Sequence, residues 1–308
     1  MNSVTNTDSS YHFAFQELDG KERDFFLSGL KTVDDAIYYQ AQLLKKRNIK
    51  AEVQVALYPD GRAVSIPKAP FGGFWVYTEV NSEVIVSFLN AWIIFLKEKG
   101  AKEIILTQAP CVYMPYTDRV EYFLQKRGFE LLHILNHQFY EGKKRMKSEL
   151  KLLLSKYSRK VKTENLKVSI GKIQNFNFLN EIRLWNQARG YQITFDENQL
   201  LAQVSTFPER YFVISVMQED TCIGHALAVK LTSNSLYYFL SAIDPATKIK
   251  LAGELIMVNL LKLAVEQKVA FLDLGSSEVK GEANHSLIYF KSKFSNSSRN
   301  KITWRLKF

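Results

Sequence analysis

The chain has 308 residues, and 41 Lys and Arg against 31 Asp and Glu give it a formal net charge of +10. Its 46% hydrophobic and 23% charged content is that of a globular protein, and 14 Gly and 7 Pro are too few for collagen or long low-complexity tracts. The two cysteines, Cys111 and Cys222, lie far apart. The sequence therefore predicts no disulfide framework, no metal site and a reducing, cytoplasmic location.

No segment is expected to enter a membrane. The first ten residues are polar and lack a basic start, which argues against a signal peptide. The most apolar run, residues 84–96, contains Ser87 and Asn90 and is shorter than the roughly 20 residues that cross a bilayer. We therefore expect no membrane span.

The first half is predicted to begin with two helices and a hairpin. The helices are expected near residues 21–30 and 32–47, the second because apolar residues recur at spacings of three and four. Strand patterns follow at 52–58 and 62–67 around the turn residues Pro59, Asp60 and Gly61, and again at 74–78. The first half continues with a helix at 82–100, a buried strand at 103–107, a helix at 118–126, and two extended runs within 128–140 divided near Asn136.

The second half is predicted to repeat this order. A strand at 168–173 precedes helices within 177–189 and 196–204, then strands at 211–217, 222–231 and 236–243. A helix at 252–267, a buried strand at 270–274, a helix at 284–294 and a strand at 302–308 follow. The halves share no run of identical residues. The expected domains are 1–145 and 146–308.

Several antiparallel strands, a long helix, a buried strand, a helix and a final strand resemble the GNAT acyltransferase fold, present here twice. The residues 271–275 (FLDLG), Gly281, Asn284 and 287–294 (LIYFKSKF) resemble the FemAB (peptidyltransferase) and BioF2-like acetyltransferase group, as does the loop 69–73 (APFGG). The resemblance implies an α+β fold of tandem GNAT-like domains, each with a mixed, mostly antiparallel sheet flanked by helices.

The resemblance also implies a donor site in the second half. The usual GNAT phosphate cradle has a basic residue or Gln and two small residues before a helix, and Lys248, Leu251 and Gly253 occupy those positions. Leu251 replaces the first glycine, and we expect its side chain to crowd the phosphates. The corresponding first-half stretch, 80–84, has neither glycine nor a basic residue, so the first domain is expected to bind no cofactor. The full set of expected donor-binding residues is Ser241, Ile243, Lys248, Lys250, Gly253, Asn284 and Phe290.

Several side chains are candidates for the chemistry of N-acyl transfer, with Lys291, Tyr289, Asp273 and Glu278 foremost. The Phe290-Lys291 pair resembles the pair that contacts the donor in FemAB-like transferases, which implies that Lys291 stabilises an oxyanion. Tyr289 is a candidate acid toward the leaving group, with packing as the simpler interpretation. Asp273 and Glu278, together with Glu282, are candidate bases near the buried strand, and His225 and His285 are weaker candidates.

A basic segment accounts for most of the net charge. Residues 143–167 contain ten Lys and Arg against two acids, a net charge of +8. Leu150, Leu153 and Leu154 give it an apolar helical face, so an amphipathic cationic helix is predicted. It suits RNA, an anionic membrane surface or solvent, and its position resembles a basic helix of the FemAB group, which implies a polyanion such as tRNA.

The sequence favours an N-acyltransferase that moves an acyl or aminoacyl group from acyl-CoA or aminoacyl-tRNA to an amine. The acceptor would be a small molecule or an amine like that of a peptidoglycan precursor. Two alternatives stay open: a GNAT-fold binding module without catalysis, motivated by Leu251, and an RNA-binding protein that uses residues 143–167.

Overall fold

The structure, a computed structural model, describes residues 10–18, 35–191, 196–279 and 281–308. It contains two compact units: the first unit is Met1–Leu135 with Asn300–Phe308, and the second unit is Asn136–Arg299. These units differ from the expected bounds of 1–145 and 146–308 because the C-terminal segment groups with the first unit. No helix in the described residues is long and apolar enough to cross a bilayer.

The first unit combines a sheet with two helices. Its elements are β1 (Tyr11–Glu17), β2 (Ile37–Lys45), β3 (Asn48–Leu57), β4 (Arg62–Ser65), β5 (Trp75–Val76), α1 (Ser82–Glu98), β6 (Glu103–Thr107), α2 (Thr117–Lys126) and the start of β7 (Glu130–Glu141). The last strand of the chain, β15 (Ser297–Lys307), contributes its Thr303–Lys307 end, which pairs antiparallel with β6.

The sheet of the first unit has the order β1-β2-β3-β4-β6-β15, with β5 on β3. Neighbours are antiparallel except β4 and β6, which are parallel from Arg62↔Glu103 to Val64↔Ile105. Helix α1 buries Phe88, Trp92 and Leu96 in a core shared with the sheet. A single apolar core therefore holds the first unit together.

Two predictions for the first half are wrong. The predicted helix at 32–47 is a strand where the structure describes it, since β2 pairs with β1 on one side and β3 on the other. Tyr39, Ala41 and Leu43 are buried at a period of two, and this sheet pairing outweighs the helical spacing. The two runs within 128–140 are one continuous strand, β7. The helix predicted at 21–30 lies outside the described residues.

The second unit contains the remaining elements. They are the end of β7, α3 (Lys143–Thr163), β8 (Leu166–Lys172), α4 (Asn177–Ala188), α5 (Glu197–Thr206), a 3-10 turn at Pro208–Arg210, β9 (Tyr211–Gln218), β10 (Thr221–Val229), β11 (Ser235–Ile243), α6 (Ala252–Glu266), β12 (Phe271–Ser276), β13 (Glu278–Val279), β14 (Glu282–Ala283) and α7 (His285–Ser292). Most of the predicted elements of the second half are present within a few residues of their expected bounds.

The sheet of the second unit has the order β7-β12-β11-β10-β9-β8. Only β11 and β12 are parallel neighbours. Helix α6 packs against β8 to β12 and against α3, and it is buried on nearly all sides. Helix α4 packs against β11. The mixed sheet with one parallel pair confirms the α+β class.

Candidate functional site

The parallel strands β11 and β12 separate after only three paired residues. Their register runs from Ser235↔Phe271 to Tyr237↔Asp273, while β11 continues to Ile243 paired with β10 alone among the described strands. β12 bends at the same level: its register against β7 shifts after Asp273, and Gly275 has a φ of +70°. The separation leaves an edge of β11, with its backbone donors and acceptors, facing a gap.

Helix α6 begins at this gap without a side-chain cap. Its N-cap residue is Leu251, and no side chain accepts a hydrogen bond from the first turn. The first N–H groups of a helix have no partner within the helix and carry partial positive charge, so an uncapped start favours an anion. The Leu251 side chain is 6% exposed and lies in the apolar core. The expectation that Leu251 crowds the phosphates is therefore not supported by its packing.

A cavity of about 700 Å³, which we call the α6 cleft, opens between the end of β11, the start of α6, the end of α4 and helix α7. Six of the seven residues expected to bind a donor line it: Ser241, Ile243, Lys250, Gly253, Asn284 and Phe290. The seventh, Lys248, is exposed nearby in the β11–α6 loop. These residues are spread over 50 positions of the sequence, from Ser241 to Phe290, and the fold brings them to the same cavity.

Gly253 allows two side chains to approach the start of α6. A Cβ at this position would lie 3.3 Å from Ile243 Cδ1 and 3.4 Å from Phe290 Cζ. These contacts are tight but involve the ends of side chains that can move. A larger residue at position 253 would therefore occupy cleft volume without disturbing backbone.

The cleft also contains polar residues that the sequence did not indicate. From α4 come Asn186, whose Nδ2 donates to Ser241 O at 3.3 Å, and Arg189. From β11 comes Tyr238, whose hydroxyl is hydrogen-bonded to Ser241 Oγ. Burial raises the pKa of Tyr238, so its hydroxyl stays protonated at neutral pH. Glu254, in the first turn of α6, adds a carboxylate. No spacing rule relates these residues, because tertiary contacts alone bring them together.

Lys291 lies behind the cleft wall and does not line the cleft. It is 4% exposed, and its Nζ donates to Ser276 O at 2.6 Å, with Gly275 O at 3.5 Å. The ammonium also lies 5.8 Å from the centre of the Tyr238 ring. Burial lowers the pKa of Lys291 to about 8, and the charge of Asp273 opposes this shift. In this geometry Lys291 holds the bent end of β12.

Asp273 is enclosed in the second unit. It is fully buried, accepts from Gly275 N at 2.7 Å, and lies 3.1 Å from His137 Nδ1. The sequence indicated neither this pairing nor the burial, since His137 is more than 130 residues away. The contacts fix the turn at Gly275. They do not present Asp273 to the cleft as a base.

The other candidate residues also lie apart from the cleft lining. Tyr289 is 68% exposed, and Lys293 Nζ lies over the Tyr289 ring, 4.7 Å from the ring centre. Glu278 and Glu282 belong to the two-stranded β13–β14 hairpin. His285 is the first residue of α7. The roles assigned to Tyr289, Asp273, Glu278 and Lys291 therefore stay predictions, and the geometry supports them less than it supports the donor-binding set.

The corresponding gap in the first unit is filled. β4 ends at Ser65, and the loop that follows lies beside β6, with a parallel bridge Gly72↔Gln108 and Gly72 N donating to Thr107 O at 3.0 Å. Buried Gln108 bonds both backbone groups of Phe74, accepting from N at 3.0 Å and donating to O at 2.8 Å. Gly73 is required here, since a Cβ would lie 2.4 Å from Gln108 Oε1.

Solved structures resemble nearly the whole chain. FemX superposes with a TM-score of 0.62 at 12% identity, covering 96% of this chain and 97% of that one. A tandem GNAT protein from the clavulanic acid biosynthesis pathway gives 0.53 at 9% identity, covering 96% and 98%. The chain has a tandem GNAT fold.

Other solved structures agree with the tandem GNAT fold. The structure of L-PGS from Bacillus licheniformis gives a TM-score of 0.51 at 16% identity, covering 83% of this chain and 80% of that one. No family model matches the chain, and no curated protein matches it in sequence. At these identities the comparisons show the fold, and the activity has to be argued from the cleft.

Proposed function

We propose that the protein is an N-acyltransferase that moves an acyl or aminoacyl group from an activated donor to an amine, with the donor bound in the α6 cleft. The observation that carries this proposal is the separation of β11 from β12 beside the uncapped start of α6. The separation leaves the end of β11 without a second neighbouring strand among the described residues, which suits an extended donor arm, and the helix start supplies donors for a phosphate.

The charges around the cleft favour a donor with an anionic group. Lys248 and Lys250 are exposed in the loop that leads into α6, and Arg189 faces the same space from the end of α4. Acyl-CoA carries phosphates at the far end of the extended arm that bears its thioester, and the 3′ end of aminoacyl-tRNA carries a phosphate on the nucleoside that bears its ester. The cleft therefore fits either donor, and binding measurements separate them.

The reaction needs a neutral amine, a polarised carbonyl and a protonated leaving group. The amine nitrogen attacks the carbonyl carbon, the C–N bond forms, and the bond to the donor sulfur or oxygen breaks. Glu254 is positioned to accept the amine proton, directly or through water, and Tyr238 is positioned to protonate the leaving thiolate or alkoxide. The raised pKa of Tyr238 keeps the hydroxyl protonated until the leaving group forms, and it makes Tyr238 a weaker acid than an exposed tyrosine.

Calorimetric titration with acetyl-CoA, longer acyl-CoAs and charged tRNA tests the donor site. Gly253→Val is expected to weaken binding of the true donor at least tenfold, since the new side chain meets Ile243 and Phe290 inside the cleft. Ser82→Val is the matched control, because Ser82 lines the hollow at the start of α1 in the first unit. Absence of binding for all three donor classes, or equal binding by both variants, contradicts the proposal and favours a non-catalytic binding module.

Turnover of the donor that binds tests the chemistry. Tyr238→Phe is expected to lower kcat by roughly 100-fold or more, the range for loss of a general acid. Tyr289→Phe removes the same hydroxyl from a side chain that is 68% exposed, outside the cleft lining, and is expected to leave kcat unchanged. A larger loss of kcat in Tyr289→Phe than in Tyr238→Phe would instead indicate Tyr289 as the acid.

RNA binding through α3 is a second candidate function. All ten Lys and Arg of residues 143–167 are exposed, whereas Met146 and Leu153 are buried. One face of α3 therefore anchors it in the second unit and the remainder presents cationic side chains. The expected result is RNA affinity that falls steeply with salt, because phosphate contacts release counterions. No measurable affinity at low salt would exclude this function, and it would also argue against tRNA as donor.

A cytoplasmic location and an amine acceptor, either a small molecule or one like that of a peptidoglycan precursor, are part of the same proposal. A panel of free amines and amine-bearing precursors, assayed with the donor that binds, identifies the acceptor. If none of them increases product release above the hydrolytic rate, the acceptor class is wrong.

A further inference from the structure

A second cluster of reactive side chains lies on the α4 side of the second unit, away from the chemistry proposed above. Glu181 of α4 and Cys222 and His225 of β10 place a carboxylate oxygen, a sulfur and a ring nitrogen within 4.8 Å of one another. His225 Nε2 lies 2.6 Å from Glu181 Oε2 and 3.3 Å from Cys222 Sγ. Two different potential ligands therefore meet at the same ring nitrogen.

A β-bulge brings the two β10 residues to the same face. In a regular strand, side chains three residues apart point to opposite faces. The register of β10 against β9 shifts between Cys222 and Gly224, so Ile223 is an extra residue, and Cys222 and His225 approach each other. Without this bulge the cysteine would face away from the histidine.

The imidazole of His225 is held in place on its other side. Ser215 Oγ lies 2.8 Å from Nδ1, and Trp185 stacks on the ring at a centroid distance of 5.6 Å with planes 16° apart. The Glu181 carboxylate accepts from Nε2–H as the side chains stand, so Ser215 Oγ–H donates to Nδ1. A metal ion that displaces the Nε2 proton would reverse the second hydrogen bond, with Ser215 Oγ accepting from Nδ1–H. This is the outer-shell arrangement that metal-binding histidines commonly have.

We propose that Glu181, Cys222 and His225 bind a transition-metal dication, best matched by Zn²⁺, with the fourth position open to water. Tetrahedral Zn²⁺ separates N, O and S ligands by about 3.4–3.6 Å, given its usual bond lengths. The nitrogen–sulfur distance already approaches this value. Glu181 is 47% exposed on its helix, so its carboxylate can move outward by the remaining fraction of an ångström.

A serine–histidine–glutamate relay explains the cluster less well. In such a relay one ring nitrogen of the histidine contacts the serine nucleophile and the other contacts the carboxylate, so Cys222 would have no role. A metal uses all three potential ligands and Ser215 together. The expectation of no metal site rested on residue types and their spacing along the chain, which do not relate Glu181 to Cys222 and His225.

Metal at this position would tie α4 to the sheet. Glu181 and Asn186 lie on the same helix, and Asn186 bonds Ser241 in the wall of the α6 cleft. His225 is also the register partner of Ala242, which lines the cleft. The metal would therefore fix the helix that contributes Asn186 and Arg189 to the cleft.

The test is titration of the untagged full-length chain, stripped with chelator, with Zn²⁺ and Co²⁺. The expected result is one ion per chain, with tetrahedral visible bands and a thiolate-to-cobalt charge-transfer band for Co²⁺. Cys222→Ser should abolish the charge-transfer band, and Cys111→Ser, which changes the other cysteine, should leave it intact. Ser215→Ala should weaken affinity about 10- to 100-fold, as outer-shell changes do.

Glu181→Gln keeps the proposal testable if the cysteine variant fails to fold, because Glu181 is half-exposed and its replacement is nearly isosteric. It is expected to lower affinity at least tenfold and to remove the increase in thermal midpoint that Zn²⁺ gives the wild type. Binding of less than one ion per chain, or a charge-transfer band that persists in Cys222→Ser, would overturn the site.

Discussion

The gap beside the parallel strand pair differs between the two units of this protein: it is filled in the first unit and open in the second. In each unit two parallel neighbouring strands flank a helix along the chain, β4 and β6 around α1 in one case and β11 and β12 around α6 in the other. In the first unit the gap is filled by the loop that bridges at Gly72 and Gln108. In the second unit the strands separate and the gap remains as the α6 cleft. The fold provides the gap, and the residues that follow the first strand decide whether it stays available to a ligand.

The starts of the two helices differ in the same sense. Asn81 caps α1, its Oδ1 accepting from Glu83 N at 2.9 Å, so the N–H groups there are already partly satisfied. Leu251 begins α6 and has its side chain in the core. A capped helix start has less to offer an anion than an uncapped one. The comparison therefore favours the second unit for the proposed donor site, and four stability measurements can break or sharpen it.

The largest effect is expected for Leu251→Ala. The side chain is 6% exposed in the apolar core, and its truncation should lower the free energy of unfolding by about 2–5 kcal/mol. Urea denaturation measures this loss. Leu152→Ala, on a side chain that is 66% exposed, is the control and should change stability by less than about 0.5 kcal/mol. Similar small losses in both variants would mean that Leu251 faces the cleft.

Gln108→Leu should follow, with a loss of about 2–4 kcal/mol, because both backbone groups of Phe74 lose their buried partner. Gln138→Leu is the matched control in the second unit. Gln138 is also buried, and its Nε2 donates to a single backbone group, Ile288 O, at 3.2 Å within the described residues. Equal losses would indicate that the first-unit gap is not held closed by Gln108.

Lys291→Met tests the buried lysine of α7 whose ammonium donates to Ser276 O at the end of β12. The pKa of Lys291 in the folded protein is about 8, below that of the free side chain. Between those two pKa values the unfolded chain binds more protons, so wild-type stability rises with pH across that window. The free energy of unfolding of the wild type, taken relative to that of Lys291→Met, should therefore rise above pH 8, by up to roughly 3 kcal/mol.

Lys293→Met, on an exposed lysine of the same region, is the control, and the wild type should show no such rise relative to it. Urea denaturation at a series of pH values supplies the comparison. A difference that stays constant from neutral pH to pH 10.5 would show that Lys291 keeps an ordinary pKa in the folded protein. Gln108 is neutral, so no equivalent dependence is expected from the first-unit gap.

The smallest effect is expected for Asn81→Ala, which removes the cap of α1. The loss should be about 1 kcal/mol, the usual cost of deleting a capping side chain. Asn81→Ser keeps an acceptor oxygen and should lose less. If Asn81→Ala also created donor binding at the first unit, the cap would be the feature that distinguishes the two helix starts.

Most elements of the second half followed from sequence because strand alternation, turn residues and helix length agree there. β2 was assigned wrongly, since positions 37–45 satisfy both helical and strand spacing and only its pairing with β1 and β3 decides. Six of the residues expected to bind a donor line one cleft, and their binding role stays a prediction, while Tyr238, Asn186 and Glu254 in the same lining were not indicated by the sequence. These three have no sequence signature, because packing determines which strand and helix positions face the cleft.

The sequence by itself determined the order of most elements in the second half and the position of the charged helix α3, since these depend on local spacing and composition, and its resemblance to the GNAT fold indicated the α+β class. Only the tertiary structure decided that Leu251 is in the core, that Lys291 bonds backbone carbonyls, and that Glu181, Cys222 and His225 meet across a bulge. Each of these depends on contacts between distant segments. A side chain's direction is set by strand register and helix packing, which local sequence does not contain.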